Sequence, residues 1–468
     1  MAAETTQNQK KKGLNIPLRS FLTSVAVIFV LMLVSYILTF VIPSGEYARN
    51  ADGMIESTSS FTFVDASFPF WKWILSPFLV LGADGSTTIF LVLAFLLIIG
   101  GVFTALEECN FMGYLLGRII ARFGKKRYTL LFVISGFFML MGAFVGSFEE
   151  CLPLVPLVVS LALALGWDEI TGLAISLVAV GCGFATGILN PFTIGVAQTI
   201  AGVPMFSGMW LRIVSGVLIY GLLALFTYLH AKKVEKPISD ENSIEVQEKD
   251  PKKNRALIVF LSALGAGILI ILCSTFLTFL QDYTMVVIVL MFLVAGIPAC
   301  FLSGMKAKDF FKSFGKGVLG VLPAIVMILM ASSVKYILTE AKILDSILYY
   351  ATEAASGMHP TLIVLFMYLI ALVLNFFVPS GSAEAILLIP LLVPMGEMFG
   401  ISKQISILAY VYGDGFSNVL YPTNSVLLIA LGLVGLSYGK YFKWVWKLEL
   451  ALLVLTSGIL VFAYLINY

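Results

Sequence analysis

The 468-residue chain is 60% hydrophobic and 12% charged, with a mean hydropathy of +1.00; soluble proteins of this size are about half apolar and a quarter charged. Five cysteines without a CxxC pair and only two histidines argue against a disulfide framework and a His-based metal site, while the net charge of +2 says little by itself; neither a nucleic-acid partner nor a cofactor is expected. What remains is an all-α polytopic membrane protein, not an enzyme, with many apolar runs near the roughly 20 residues that cross a bilayer.

Residues 1–19 are polar, with Lys10, Lys11 and Lys12 close to the first apolar run, Ser20–Pro43, which is too long for a signal-peptide core and reads as a retained span. Residues 44–86 hold a polar stretch and an aromatic patch, Phe68, Phe70, Trp71 and Trp73, suited to the membrane interface. A span over Thr87–Leu106 leads into a basic, partly apolar stretch, 107–127, expected as a surface helix. Then come a hairpin over 128–166, a broken helix over 168–201 and a span over 206–229. A charged linker, 230–255, and a single span, 256–280, separate this first repeat from the second, 284–468. The second contains a span at Gly317–Leu338, a mildly amphipathic segment at Thr339–Gly357, a hairpin over 361–400, a broken helix over 404–434 and a closing span at Trp444–Ile466.

Placing the N-terminus in the cytoplasm puts 23 of the 29 Lys and Arg residues in loops on that side, the bias expected of cytoplasmic loops. The two halves also echo each other. Glu150, Pro156 and Gly166 correspond to Glu384, Pro390 and Gly400 at a spacing of 234, and Pro191, Gly208 and Arg212 to Pro422, Gly439 and Lys443 at 231. Because equivalent positions then face opposite sides, the pattern is that of an inverted repeat. Secondary transporters of that kind bind substrate near the midplane, where broken helices meet. Here the breaks are expected at Gly181–Thr193 and Gly413–Ser425, where proline removes a backbone hydrogen bond.

The hairpin tips carry acids. Glu149 and Glu150 lie between apolar arms, Glu384 lies in the second tip, and Asp414 is expected inside the second break. A carboxylate at membrane depth costs about 2.5–3.5 kcal/mol even on the lenient insertion scale, so each needs a partner or a function. Two readings stay open for the tips: Ser147-x-x-Glu150 has the capping-box pattern, or the acids bind a substrate, a proton or a cation. The arms are short for full spans, about 14–18 residues, which favours re-entrant hairpins.

Several stretches resemble one family: Ser147–Pro156, Asn190-Pro191-Phe192-Thr193, Pro379-Ser380-Gly381-Ser382 and Gly413-Asp414-Gly415-Phe416-Ser417-Asn418, with Val41–Tyr47 and Tyr438–Lys443 in support. They are similar to the C4-dicarboxylate anaerobic carrier family of the ion transporter superfamily, in the branch of arginine/ornithine-type basic amino acid antiporters. The resemblance implies a homodimer in the plasma (inner) membrane of a prokaryote. It also implies a scaffold domain, an elevator-like transport domain, two re-entrant hairpins and two broken helices. Its site would include Ser147, Glu149, Glu150, Asn190, Ser380, Gly381, Ser382, Asp414, Asn418, Thr423 and Asn424. Dicarboxylate carriers of the wider superfamily typically bear Ser-Asn-Thr tips without acids, whereas this chain has Glu149, Glu150 and Glu384.

Clustered carboxylates repel a dianion and pair with guanidinium or ammonium groups. The leading expectation is therefore an antiporter of basic amino acids, with coupling to sodium or protons left open. The alternative is a carrier of C4-dicarboxylates or other organic anions. An intramembrane aspartyl protease is set aside, because Tyr412-Gly413-Asp414 lacks the leading glycine and a second aspartate within a span.

Overall fold

Long apolar stretches in lipid leave the backbone no hydrogen-bond partner but itself, so they coil into helices wherever proline and glycine do not intervene. The computed structural model describes residues 18–49, 60–83, 86–123, 126–146, 148–236, 250–274, 283–354 and 357–468. Among them, eight helices are long and apolar enough to cross a membrane.

The first part of the chain comprises α1 (Leu18–Val41), a two-stranded antiparallel hairpin of β1 (Gly45–Tyr47) and β2 (Phe61–Phe63), α2 (Phe70–Leu79), α3 (Ser86–Glu108) and α4 (Phe111–Phe123). The sequence did not reveal the hairpin. It is held by side chains distant in sequence: Tyr47 N donates to Asp345 Oδ2 at 3.0 Å, and Arg49 pairs with Asp345 at 2.6 Å. The Phe61 ring stacks on Tyr349 with centroids 4.3 Å apart. The aromatic patch forms α2, where Trp73 Nε1 donates to the carbonyl of Met32 at 2.9 Å.

Next come α5 (Arg127–Leu140), which runs into a π-helical turn at Met141–Val145, a short 3-10 segment at Glu149–Leu154 and α6 (Val155–Ala164). The first broken helix is α7 (Glu169–Leu173), a π turn at Ala174–Val178, α8 (Ala179–Thr186), a π turn at Pro191–Gly195 and α9 (Val196–Ile200). The break itself is confined to 187–190, narrower than the expected Gly181–Thr193. Helix α10 (Met209–Val234) and α11 (Pro251–Ser274) shorten the linker between the halves. Most of that linker, 237–249, lies outside the described residues, as do 275–282 at the end of the linking span.

The second part comprises α12 (Thr284–Leu302), α13 (Ala307–Glu340), α14 (Leu344–Ala354), α15 (Pro360–Phe377), α16 (Gly381–Met398), α17 (Lys403–Ser417), α18 (Ser425–Val434) and α19 (Tyr438–Leu465). Helix α13 packs against α1, α2 and α3 on one side and against α18 on the other. Helix α17 lies between α15, α16 and α8. Helix α8 also packs against α5, and its contacts with α5 and α17 are backbone to backbone. A Cβ on Gly183 would lie 1.9 Å from the Met139 carbonyl oxygen, and one on Gly415 would lie 2.1 Å from Ala185 Cα. Small residues let helices in lipid come this close.

Three local devices recur 234 positions apart. After α6, Gly166 takes a left-handed φ of 86° and Trp167 N bonds the Ala162 carbonyl; after α16, Gly400 takes 71° and Ile401 N bonds that of Gly396. Asp168 and Ser402 then cap the following helices by accepting from the backbone N–H three residues on. Asn190 and Asn424 cap the helices after the two breaks by accepting from the N–H two residues on, at 2.9 Å in both. Through the breaks the matching pair is thus Asn190 and Asn424 at 234, rather than Pro191 and Pro422 at 231.

Candidate functional site

Pro379 ends the backbone ladder of α15, and Ser380 and Gly381 reopen it as α16. This tight reversal sets the last turn of α15 beside the first turn of α16. Asn375 uses it to join three helices. Its Nδ2 donates to Glu384 Oε2 at 2.9 Å and to Asp414 Oδ1 at 2.8 Å, while its Oδ1 accepts from Ser417 Oγ at 3.0 Å. Both amide hydrogens of Asn375 are then spent. Two carboxylates, each with no exposed surface, share a single neutral donor group.

The second break extends this network. Asn418 Nδ2 donates to the Asp414 carbonyl at 2.7 Å, and Asn424 Nδ2 donates to Asn418 Oδ1 at 2.8 Å. Tyr410 fixes the hairpin tip by donating to the carbonyl of Gly381. Gly381 is required by space: a Cβ there would lie 2.7 Å from Thr193 Cγ2 and 3.0 Å from Asp414 Oδ2. The second tip therefore touches both broken helices. The first tip joins them through Gly146, whose Cβ would lie 2.2 Å from Asn190 Oδ1, and through Phe148, which with Val419 packs on Gly181.

Around the acid pair and the two breaks, five polar atoms are buried without a hydrogen-bond partner among the described residues: Glu384 Oε1, Asp414 Oδ2, Thr193 Oγ1, Thr423 Oγ1 and Asn190 Nδ2; Tyr412 Oη, also on α17, is a sixth. Four of the five are oxygens. An ionised carboxylate can only accept, and leaving one buried without a compensating charge costs several kcal/mol. The acid pair is chemically suited to a proton, a metal cation or the N–H groups of an organic cation. Among the described residues no cluster has the His, Cys, Asp and Glu ligands to hold a metal ion.

The expected site residues separate into groups. Glu384, Asp414, Asn418, Thr423, Asn424, Asn190 and Gly381 are buried in this region. Ser380 is exposed and Ser382 half-buried. Glu149 is also exposed, at the start of its 3-10 segment, and is not part of the buried acid pair. Ser147 and the side chain of Glu150 lie outside the described residues; the described helix start there is Phe148, which makes no side-chain cap. Asp414 stands within α17, three residues before its end, not inside the break, because the helix holds through Gly413 and Gly415.

Sequence reading missed Asn375, Tyr410 and Ser417, which organise the pair, and Glu449, a carboxylate buried in the closing span. Polar residues amid apolar runs are the signal that could have found Asn375 and Glu449.

The C4-dicarboxylate anaerobic carrier model matches residues 21–465. The chain belongs to this family. In Escherichia coli (strain K12), a protein named "Putative basic amino acid antiporter YfcC" is 30% identical over 403 residues, covering 81% of this chain and 78% of that one. An uncharacterized protein of Haemophilus influenzae is 23% identical over 508 residues, covering 97% and 98%. Two solved transporters align over nearly full length: Alcanivorax borkumensis YdaH at 18% identity and a TM-score of 0.43, covering 97% and 99%, and Neisseria gonorrhoeae MtrF at 15% and 0.44, covering 94% of each. As a member of the C4-dicarboxylate anaerobic carrier family with eight membrane-length helices among the described residues, the protein is a multi-pass membrane transporter of a small molecule.

Proposed function

We propose that this carrier exchanges basic amino acids of the arginine and ornithine type across the plasma membrane of a prokaryote. One observation carries the reading: Glu384 and Asp414 are fully buried side by side, share one amide and keep one oxygen each without a hydrogen-bond partner among the described residues. A guanidinium or ammonium group offers the N–H donors and the positive charge that those oxygens require. The relative named as a basic amino acid antiporter supports the same substrate class.

The acid pair also accounts for exchange. Moving both carboxylates through the membrane interior uncompensated is costly, so the site travels with a cation or a proton. Arginine entering against ornithine leaving moves no net charge, whereas uniport of a monovalent cation carries about 2.3 kcal/mol per 100 mV. Proton coupling is the natural second mode of this pair, since one proton relieves the repulsion between the two acids.

The matched devices at 234 positions support an inverted repeat, in which the halves exchange roles as access alternates. The transport unit would comprise α5–α9 and α15–α18 and move in an elevator-like manner against a scaffold built around α13, within a homodimer and with the N-terminus in the cytoplasm.

A carrier of C4-dicarboxylates is the second reading, favoured by the family description. Against it, two like charges 4 Å apart repel by about 4 kcal/mol at an effective dielectric of 20. Counterflow in proteoliposomes loaded with ornithine, arginine, neutral amino acids or succinate distinguishes the two. Uptake of labelled arginine driven by internal ornithine is expected; exchange confined to succinate would contradict the basic amino acid assignment.

A further inference from the structure

A cavity of about 780 Å³ lies on the side of the molecule that carries the β-hairpin. Its size is in the usual range for small-molecule sites, about 300–1,000 Å³. One wall is Ala383, Ile386 and Leu387 of α16; the other includes Lys335 and Thr339 of α13. The position after Ala383 is Glu384, whose side chain turns the other way, into the buried acid pair. The cavity therefore borders the helix that carries the proposed site.

The charges of this cavity are not balanced pair by pair. Lys342 pairs with Glu46 at 2.7 Å and Arg49 with Asp345 at 2.6 Å. Lys335 has neither a hydrogen-bond nor an ion-pair partner among the described residues. It is half-buried and stands about one turn before the end of α13. A lysine near a helix end often reaches for the interface along an apolar path. That explains why the amine is tolerated, but not why it lines a cavity shared with α16.

We infer that Lys335 is a carboxylate-recognition residue of a vestibule, receiving the α-carboxylate of an incoming amino acid before the acid pair takes up its cationic end. The inference rests on the basic amino acid reading and extends it. The acid pair alone accepts any organic cation; an amine placed ahead of it selects cations that also carry a carboxylate. It would separate an amino acid from the corresponding simple amine.

The test compares arginine with agmatine, which keeps the guanidinium and replaces the α-amino and carboxylate end with an amine, as competitors of labelled arginine exchange in proteoliposomes of the full chain. Wild type should prefer arginine. Lys335→Gln should weaken arginine about tenfold, equivalent to about 1.4 kcal/mol, and leave agmatine unchanged; Lys335→Arg should restore the preference. Lys335→Met, which keeps the stem packing, serves the same comparison if the glutamine variant fails to fold. Equal loss of both compounds, or no loss of arginine, would overturn the role of Lys335. Should wild type carry succinate and not arginine, with K335Q abolishing succinate binding, the basic amino acid reading falls while the carboxylate role stands.

Discussion

Gly381 shows how little room the site allows at the scale of a single residue. Alanine there would set a methyl group 2.7 Å from Thr193 Cγ2 and 3.0 Å from Asp414 Oδ2, an overpacking worth about 1–3 kcal/mol. Gly381→Ala should lower exchange about tenfold or more while the protein still reaches the membrane. Thr193→Ser removes the offending Cγ2, so the double variant G381A/T193S should recover part of the loss. Initial uptake rates at matched expression read this directly. No recovery would mean that the clash with Asp414, and not with Thr193, dominates. Acids at the tips were legible in the sequence because ionisable residues between apolar arms are rare and expensive. Their unequal fates were not. Glu384 turns inward because Asn375 lies across the three residues between α15 and α16, whereas Glu149 has no hydrogen-bond partner among the described residues and is exposed.

Between elements, the contacts that place the site are glycine contacts between backbones. Gly183 on α8 approaches the Met139 carbonyl of α5 so closely that a Cβ added to it would lie 1.9 Å from the carbonyl oxygen. A rotamer change cannot relieve a collision with backbone, so Gly183→Ala should destabilise the protein by more than Gly381→Ala. The measurement is thermal unfolding in detergent. A midpoint unchanged within error for G183A would show that α5 and α8 do not pack as described. Helix positions followed from apolar length, and both breaks from proline. The β-hairpin at 45–63 did not, because its strands are three residues long and are held by Asp345 and Tyr349, nearly 300 positions away. Nor could composition show that α17 continues through Gly413 and Gly415, since the packing that compensates those glycines comes from α8 and α15.

At the scale of the whole molecule, a few local devices recur while the site is asymmetric. The caps at Asp168 and Ser402, and at Asn190 and Asn424, are the same device used twice. The 234-residue spacing was legible in part from glutamate, proline and glycine at 150/384, 156/390 and 166/400. Its continuation through the breaks was not, because prolines at 191 and 422 suggested a shorter spacing. The chemistry is unequal between the halves: the described acid pair belongs wholly to the second, while the first contributes Thr193 and Asn190. Positive charge for that pair is the central requirement of the account. Counterflow of labelled arginine against ornithine, compared between wild type, Glu384→Gln and Asp414→Asn, tests it most directly. Loss of a charge-assisted contact of about 1.5–3 kcal/mol predicts at least about a tenfold fall in arginine exchange for each variant. Arginine exchange at wild-type rates in both variants would contradict it.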